Sequence, residues 1–418
     1  MLRSEVCITI NSVSFMFLEM YYSITTRPVT FALEDITRGL SIPITTVTGP
    51  NLKLIQTSTK MDVPQSSSMP RVQQPLGKSS PYIIPAYEGD TMMIPGHKVT
   101  VRLLASAKET SGLLSVFGYD GALGDPPGFH YHNLAHDVFM CTRGHVKVWA
   151  GNRCKILGPG DFCYVPPKVV HRPQLIDDGT NESIGVVTPG QWVDFFRLIC
   201  KKYDGVFADE FDTSDIGELV GSRITEIKEK YDVVFQPGFQ GAEVSDLTKE
   251  EDSKLPDEPG KEYYLKANTG PCHLLEGVLS RPFITTKQTQ SPTGNFAATA
   301  IESSNRLANS VLSRPFAFMK VHQVYHVLDG AINVTLDGSA NVIRAGETAF
   351  VPAGTAISIE FLDRYNRFWA YSSGDGLESL IADAGGKFEG TLVPDKSRPL
   401  DKEALKNAAE KHDVKISS

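Results

Sequence analysis

The chain has 418 residues, 41% of them hydrophobic and 22% charged, with a formal net charge of -8. That length allows two or three domains, and the composition is ordinary for a globular protein. The negative balance, without a basic patch or an acidic tail, argues against nucleic acid as a partner. Six cysteines in a chain this long do not make a disulfide framework.

In chain order, residues 6–18 form a fairly apolar run after Arg3. Asn11, Ser12 and Ser14 interrupt it, and no small-x-small cleavage site follows. The run is too short and too polar to span a membrane. The sequons at Asn181 and Asn333 matter only to a secreted chain. The reading is cytoplasmic, with secretion as the alternative. Residues 58–80, rich in Ser, Pro, Gln and Lys, read as a mobile linker, so 1–80 is an N-terminal extension. From Pro81 onward short strands with turn signals are expected at 82–84, 98–104 and 113–119.

Residues 128–171 carry the chemistry. His130 and His132 stand two apart, so in a strand both imidazoles face the same way. Asp137 follows His132 by five, an odd number, so residues 133–136 must bulge or turn to bring it back to that face. A strand then runs to a turn at Arg143-Gly144. Gly160-Asp161 makes another turn, residues 162–165 a short strand, and Pro166-Pro167 ends it just before His171. Three His and one carboxylate on neighbouring antiparallel strands suit a divalent transition metal with an open position. Ordinary strand histidines are the alternative. Cys141 shares the parity of Asp137 and Phe139 and reads as a small buried thiol that packs.

The pattern as a whole resembles the two motifs of the cupin superfamily. His130, His132, Asp137 and Gly144 fit the first, with Asp in place of Glu; Gly160, Pro166 and His171 fit the second. Sliding the sequence on itself adds a repeat. Gly330 minus Gly144 gives a shift of 186, and at that shift Gly160 falls on Gly346 and Pro166 on Pro352. The expected fold class is therefore mainly β, with two tandem cupin (jelly-roll β-barrel) domains, a helical inter-domain insertion and C-terminal helices. The metal-binding domain is placed at 81–190, a helical connection and linker at 191–262, the second domain at 263–375 and a helical tail at 376–418. His130 falls on Phe316, His132 on Phe318, Asp137 on Gln323 and His171 on Ile357. The second copy has lost every ligand position and reads as structural, closing the fold and supporting a homodimer. His322 and His326 read as ordinary strand histidines.

Helical periodicity is expected over 191–203, 212–231 (capped near Thr213 or Ser214), 376–384 and 401–412, the last opened by Asp401 as N-cap. Residues 249–261 read as a charged linker. The aromatic stripe Trp192, Phe195, Phe196 is expected to pack against the outside of a sheet; covering the barrel mouth is the alternative.

Within the cupins, the run from His130 to Ala150, with Phe139, Cys141, Gly144 and Trp149, is similar to the fungal quercetin 2,3-dioxygenase family. The resemblance implies one metal per chain, copper or iron, with manganese, nickel or cobalt as alternatives. It implies His130, His132 and His171 as ligands, with Asp137 at the place of the family's Glu. The implied reaction is dioxygen-dependent ring cleavage of a flat hydroxylated aromatic substrate, with no membrane or nucleic-acid partner. Aromatic side chains near the motifs, Tyr131, Phe139, Phe162 and Tyr164, are the candidate substrate contacts. Asp137 is one methylene shorter than Glu and is expected to act mainly as general base and only secondarily as a ligand. It leaves a polyketide quinone or phenol as open as a flavonol. A non-oxidative cupin enzyme (isomerase, decarboxylase or hydrolase) and a non-catalytic binding protein remain the alternatives.

Overall fold

The structure is a computed structural model that describes residues 68–124, 128–291, 294–309 and 311–417, and the backbone of two short strands. Those strands, Thr45–Thr46 and Ile55–Gln56, pair antiparallel in a compact unit of their own. The apolar run at 6–18 and the 58–67 part of the expected linker lie outside the described residues. Among the described residues no helix is long and apolar enough to cross a membrane.

From Ser68 onward the chain makes two β-sandwiches. In the first, an eight-stranded sheet covers a five-stranded one, with Val101, Leu103, Cys141 and Val187 of the larger meeting Val146, Val148 and Leu175 of the smaller. In the second, a seven-stranded and a five-stranded sheet enclose Ile301, Val327 and Phe368 against Ile332, Val334 and Ile359. Alternation along each strand sends one set of side chains into the sandwich. The opposite face of each larger sheet is also buried, because the two larger sheets pack on one another through Val138, Met140, Phe162, Tyr164 and Ile184 on one side and Phe283, Val324, Phe350 and Trp369 on the other. Each such side chain adds ~1.5–3 kcal/mol of transfer free energy when fully covered.

The repeat is visible in the pairing register. His130 pairs with His171 across the first small sheet, and Phe316 with Ile357 across the second. The correspondence extends further than the sequence suggested. The helix Ile224–Tyr231 leads into the strand Val234–Phe235, which pairs with the His130 strand; the helix Lys402–Lys411 leads into Val414–Ile416, which pairs with the Phe316 strand.

The expected domain boundaries need correction at both starts. Tyr82–Ile84 does not open the first sandwich: it pairs with Thr348–Val351 of the second. Tyr263–Leu265 pairs with Phe162–Val165 of the first. Each sandwich thus takes its outermost strand from the other. Tyr82 returns a hydrogen bond to the Leu104 carbonyl at 2.9 Å, and Tyr263 one to that of Phe283 at 2.7 Å.

Local expectations also shift. Residues 68–80 are held rather than loose where Met69 is buried and donates its N–H to Asn341 Oδ1 at 2.9 Å. The single helix expected at 212–231 is two, Ile216–Ser222 and Ile224–Tyr231, broken at Arg223 and capped by Asp215, whose carboxylate accepts the Gly217 N–H at 2.7 Å. The helix expected over 191–203 is a 3₁₀ turn, Gly190–Val193, and a short α-helix, Asp194–Ile199. The linker expected at 249–261 is anchored by Asp252, which is fully buried and pairs with Arg153 and Lys155. The C-terminal helix forms as expected, Asp401 accepting the N–H groups of Glu403 and Ala404 at 3.0 Å.

Candidate metal centre

His130 sits in the two-residue strand His130–Tyr131, His132 just beyond it, and His171 at the head of the strand His171–Leu175. Between His132 and Asp137 the chain turns at Asn133-Leu134 before re-entering a strand at His136. That turn supplies the phase change the odd spacing demands. All four side chains are buried, and their ligand atoms lie within 4.8 Å of one another. Among the described residues they form the one such group of three or more His, Cys, Asp or Glu. The ring centroids stand 5.1 Å (His130–His132), 4.4 Å (His130–His171) and 5.2 Å (His132–His171) apart.

Each histidine spends its Nδ1 on a backbone carbonyl: His130 on Gly128 at 2.9 Å, His171 on Val169 at 2.9 Å, and His132 on Asp232 at 2.7 Å. A carbonyl oxygen only accepts, so each Nδ1 carries hydrogen, and the Nε2 lone pairs are left for the cluster. Asp137 Oδ2 lies 3.2 Å from His132 Nε2 and 2.9 Å from His171 Nε2. Facing lone pairs at these distances need a positive charge between them. Burial, with the neighbouring rings of His171 and His132, holds His130 well below the ordinary histidine range. Burial pushes the Asp137 carboxyl up, but a positive charge shared with His132 and His171 outweighs that and holds it well below the ordinary carboxylate range. Three imidazoles presenting Nε2 and one ionised carboxylate fit a divalent transition metal.

Beside this group lies a partly enclosed cavity with about 40 Å³ of room for water-sized molecules. His130 and Asp137 line it, with Tyr119 and Ser183 as the other polar side chains; Phe117, Phe139, Trp192, Phe195 and Phe196 supply most of the rest, and no Lys or Arg lines it. Gly185 makes space for one wall, since a Cβ there would stand 2.3 Å from Phe117 Cζ.

Residues 122–183 match the family described as cupin domain. The matched residues hold all four clustered side chains. The chain is also similar to quercetin 2,3-dioxygenase of Bacillus subtilis (strain 168), 34% identical over 125 residues, which are 30% of this chain and 36% of that protein. The match thus spans about a third of that relative's length. Among solved structures, oxalate decarboxylase OxdC of Bacillus subtilis is 14% identical with a TM-score of 0.41, covering 79% of this chain and 87% of its own. Protein Ylba of E. coli is 10% identical with a TM-score of 0.45, covering 72% and 93%.

Of the four expected substrate contacts, Phe139 alone lines this cavity. Phe162 and Tyr164 pair across the sheet with Met140 and Val138, and so share the face that packs on the second sandwich. Tyr131 alternates with the inward His130 and pairs with Val234 instead. His136 likewise turns away from Asp137: its Nδ1 meets the Tyr164 hydroxyl at 2.8 Å, and burial pushes its pKa down to about 4. The aromatic stripe is corrected in the other direction. Trp192, Phe195 and Phe196 line the cavity rather than the outside of a sheet. The Trp192 ring stands edge-on to His132 at 4.9 Å. Its Nε1 is 3.1 Å from His132 Nδ1, but that nitrogen already donates to Asp232, so the two contacts cannot both be hydrogen bonds. Phe117 and Ser183 escaped notice because nothing in their own strands marks them. Cys141 is fully buried and packs, as expected.

In the second sandwich Phe316, Phe318, Gln323 and Ile357 are all buried. The Tyr325 hydroxyl donates to Gln323 Oε1 at 2.8 Å, which ties up the one polar side chain among them.

Proposed function

We propose that this chain is a metal-dependent dioxygenase that cleaves a flat, hydroxylated aromatic molecule of the flavonol or aromatic polyketide (quinone) type. The observation that carries the reading is an aromatic-walled cavity lined also by His130 and Asp137 of a four-residue metal-ligand cluster. In it, His130, His132, Asp137 and His171 would hold the ion, copper or iron, with manganese, nickel or cobalt as alternatives. The metal would supply Lewis acidity toward a substrate hydroxyl and redox chemistry toward dioxygen. The Asp137 carboxylate, ionised and at the cavity edge, accepts the hydroxyl proton as substrate binds. Phe139, Trp192 and Phe196 stack on the rings and keep water out. The lack of a lining cation disfavours a small dicarboxylate, whose second charge would go unanswered. The quercetin 2,3-dioxygenase likeness supports the same class of substrate.

A second reading rests on the cavity's size. About 40 Å³ holds on the order of three waters, or dioxygen, but not a flavonol. On the proposed reading the Trp192 and Phe196 rings swing aside to admit substrate. On the second, a small molecule is isomerised or decarboxylated with the metal as Lewis acid. Dioxygen uptake by metal-loaded protein, with a panel of flavonols and hydroxyquinones, separates them. Uptake stoichiometric with ring cleavage is expected; full turnover under strict anaerobiosis would sink the dioxygenase reading.

A further inference from the structure

We infer that Asp232, outside the matched residues 122–183, is a positioning residue for the metal centre, setting both the tautomer of His132 and the turn that brings Asp137 into phase. The inference rests on reading His130, His132, Asp137 and His171 as metal ligands.

Asp232 follows the helix Ile224–Tyr231 in the left-handed conformation, with φ 56°. From there its two ends act on the same short segment. The carbonyl accepts His132 Nδ1–H at 2.7 Å. The carboxylate accepts three further hydrogen bonds. Oδ1 takes the Asn133 N–H at 2.8 Å and Asn133 Nδ2 at 2.7 Å, and Oδ2 takes the Leu134 N–H at 2.7 Å. A carboxylate bridging consecutive amide hydrogens fixes a tight turn, and charge-assisted bonds of this kind are about twice as strong as neutral ones. The turn it fixes lies between His132 and Asp137, where the strand changes phase. Without it, an unbroken strand would send the Asp137 side chain to the face opposite His132.

The chain contains its own comparison. Asp413 occupies the equivalent place in the second copy. It follows the helix Lys402–Lys411 in the same left-handed conformation, φ 52°, just before the strand that pairs with Phe316–Phe318. There the carbonyl accepts the Met319 N–H at 3.0 Å, and the carboxylate pairs with Lys320 Nζ at 2.9 Å. The helix-to-strand joint is common to both copies. The carboxylate clamp on the turn accompanies the copy that has ligands.

Co²⁺ titration of metal-free protein tests this, read by calorimetry and by the visible d–d spectrum. Asp232→Gly keeps the backbone conformation and the carbonyl, and removes only the carboxylate. It should bind Co²⁺ ~10- to 100-fold more weakly, with an altered spectrum. Without metal, its Asn133 and Leu134 amides should exchange faster than in the parent. Asp232→Asn tolerates the same backbone and keeps one acceptor oxygen, so it should recover most of the affinity and the parental spectrum. Ile227→Ala, a buried change in the same helix, should lower Tm while leaving affinity and spectrum as they are. Parental affinity, spectrum and amide exchange in Asp232→Gly would overturn the inference. A parent chain that takes up no Co²⁺ would overturn the metal centre, and this role with it.

Discussion

Asp137 Oδ2 lies 2.9 Å from His171 Nε2, a nitrogen whose ring has already committed its Nδ1 hydrogen to the Val169 carbonyl. One positive charge is needed between those atoms, and the same holds for His132 at 3.2 Å. The second copy offers Phe316, Phe318, Gln323 and Ile357 at these positions. Purified chain should therefore carry one transition-metal ion, lost in His130→Ala or His171→Ala. Elemental analysis reads this directly; two ions per chain, or one retained in a His130→Ala His132→Ala double variant, would contradict it.

Asp137→Asn preserves shape and removes the charge. As general base, Asp137 should cost ~10²- to 10⁴-fold in kcat/KM when replaced, with metal content near the parental level. As a ligand, it should take the metal with it. Its place 3.2 and 2.9 Å from two ligand nitrogens makes the ligand role more prominent than its short side chain suggested. Metal content and kcat/KM measured on the same preparation separate the roles.

Gly185→Ala places a methyl 2.3 Å from the Phe117 ring, and both residues line the cavity. Overpacking of this kind costs ~1–3 kcal/mol. Tm should fall and KM rise, and Phe117→Leu in the same chain should restore part of both. An unchanged KM would mean that Phe117 does not border the substrate.

The four clustered side chains were legible because His130 and His132 stand two apart and because the spacing through Gly144, Gly160 and Pro166 to His171 resembles the cupin motifs. The repeat was legible because turns outlast chemistry. Gly144 and Gly330 have φ of 67° and 70°, Gly160 and Gly346 of 89° and 85°, a region that favours glycine whether or not the sheet still holds ligands. Among the cavity walls Phe139 was legible and the Trp192 stripe only as an alternative; the reason is burial on both faces of the large sheets. Phe162 and Tyr164 are as apolar as any inward residue because the second sandwich covers them, so alternation no longer separates inside from outside. Asp232 was hidden for another cause. Two of the three groups its carboxylate holds are backbone N–H groups about a hundred residues away, and backbone contacts leave no mark in residue type.

Glu378 gives the fold a pH dependence of its own. It is buried, its Oε1 accepts the Gly376 N–H at 2.8 Å, and burial pushes its pKa up to about 7. The folded chain therefore binds the proton more tightly than the unfolded chain does. The stability it contributes is full below about pH 4.5, the ordinary Glu value, and falls by ~1.4 kcal/mol per pH unit until about pH 7. Glu378→Gln should match the parent near pH 4.5 and exceed it in Tm at pH 8, in metal-free protein. A Tm difference that does not change with pH would show that the carboxyl titrates normally.

The reciprocal loan of outer strands has a consequence for either half on its own. Tyr263–Leu265 closes the edge of the eight-stranded sheet, which carries Asp137, and Tyr82–Ile84 closes the edge of the seven-stranded one. Without the second half, the first would be left with an open sheet margin and a stray apolar strand, both prone to pairing with other molecules. The second copy, with Phe, Gln and Ile at the four positions, still supplies a strand that the first sandwich uses.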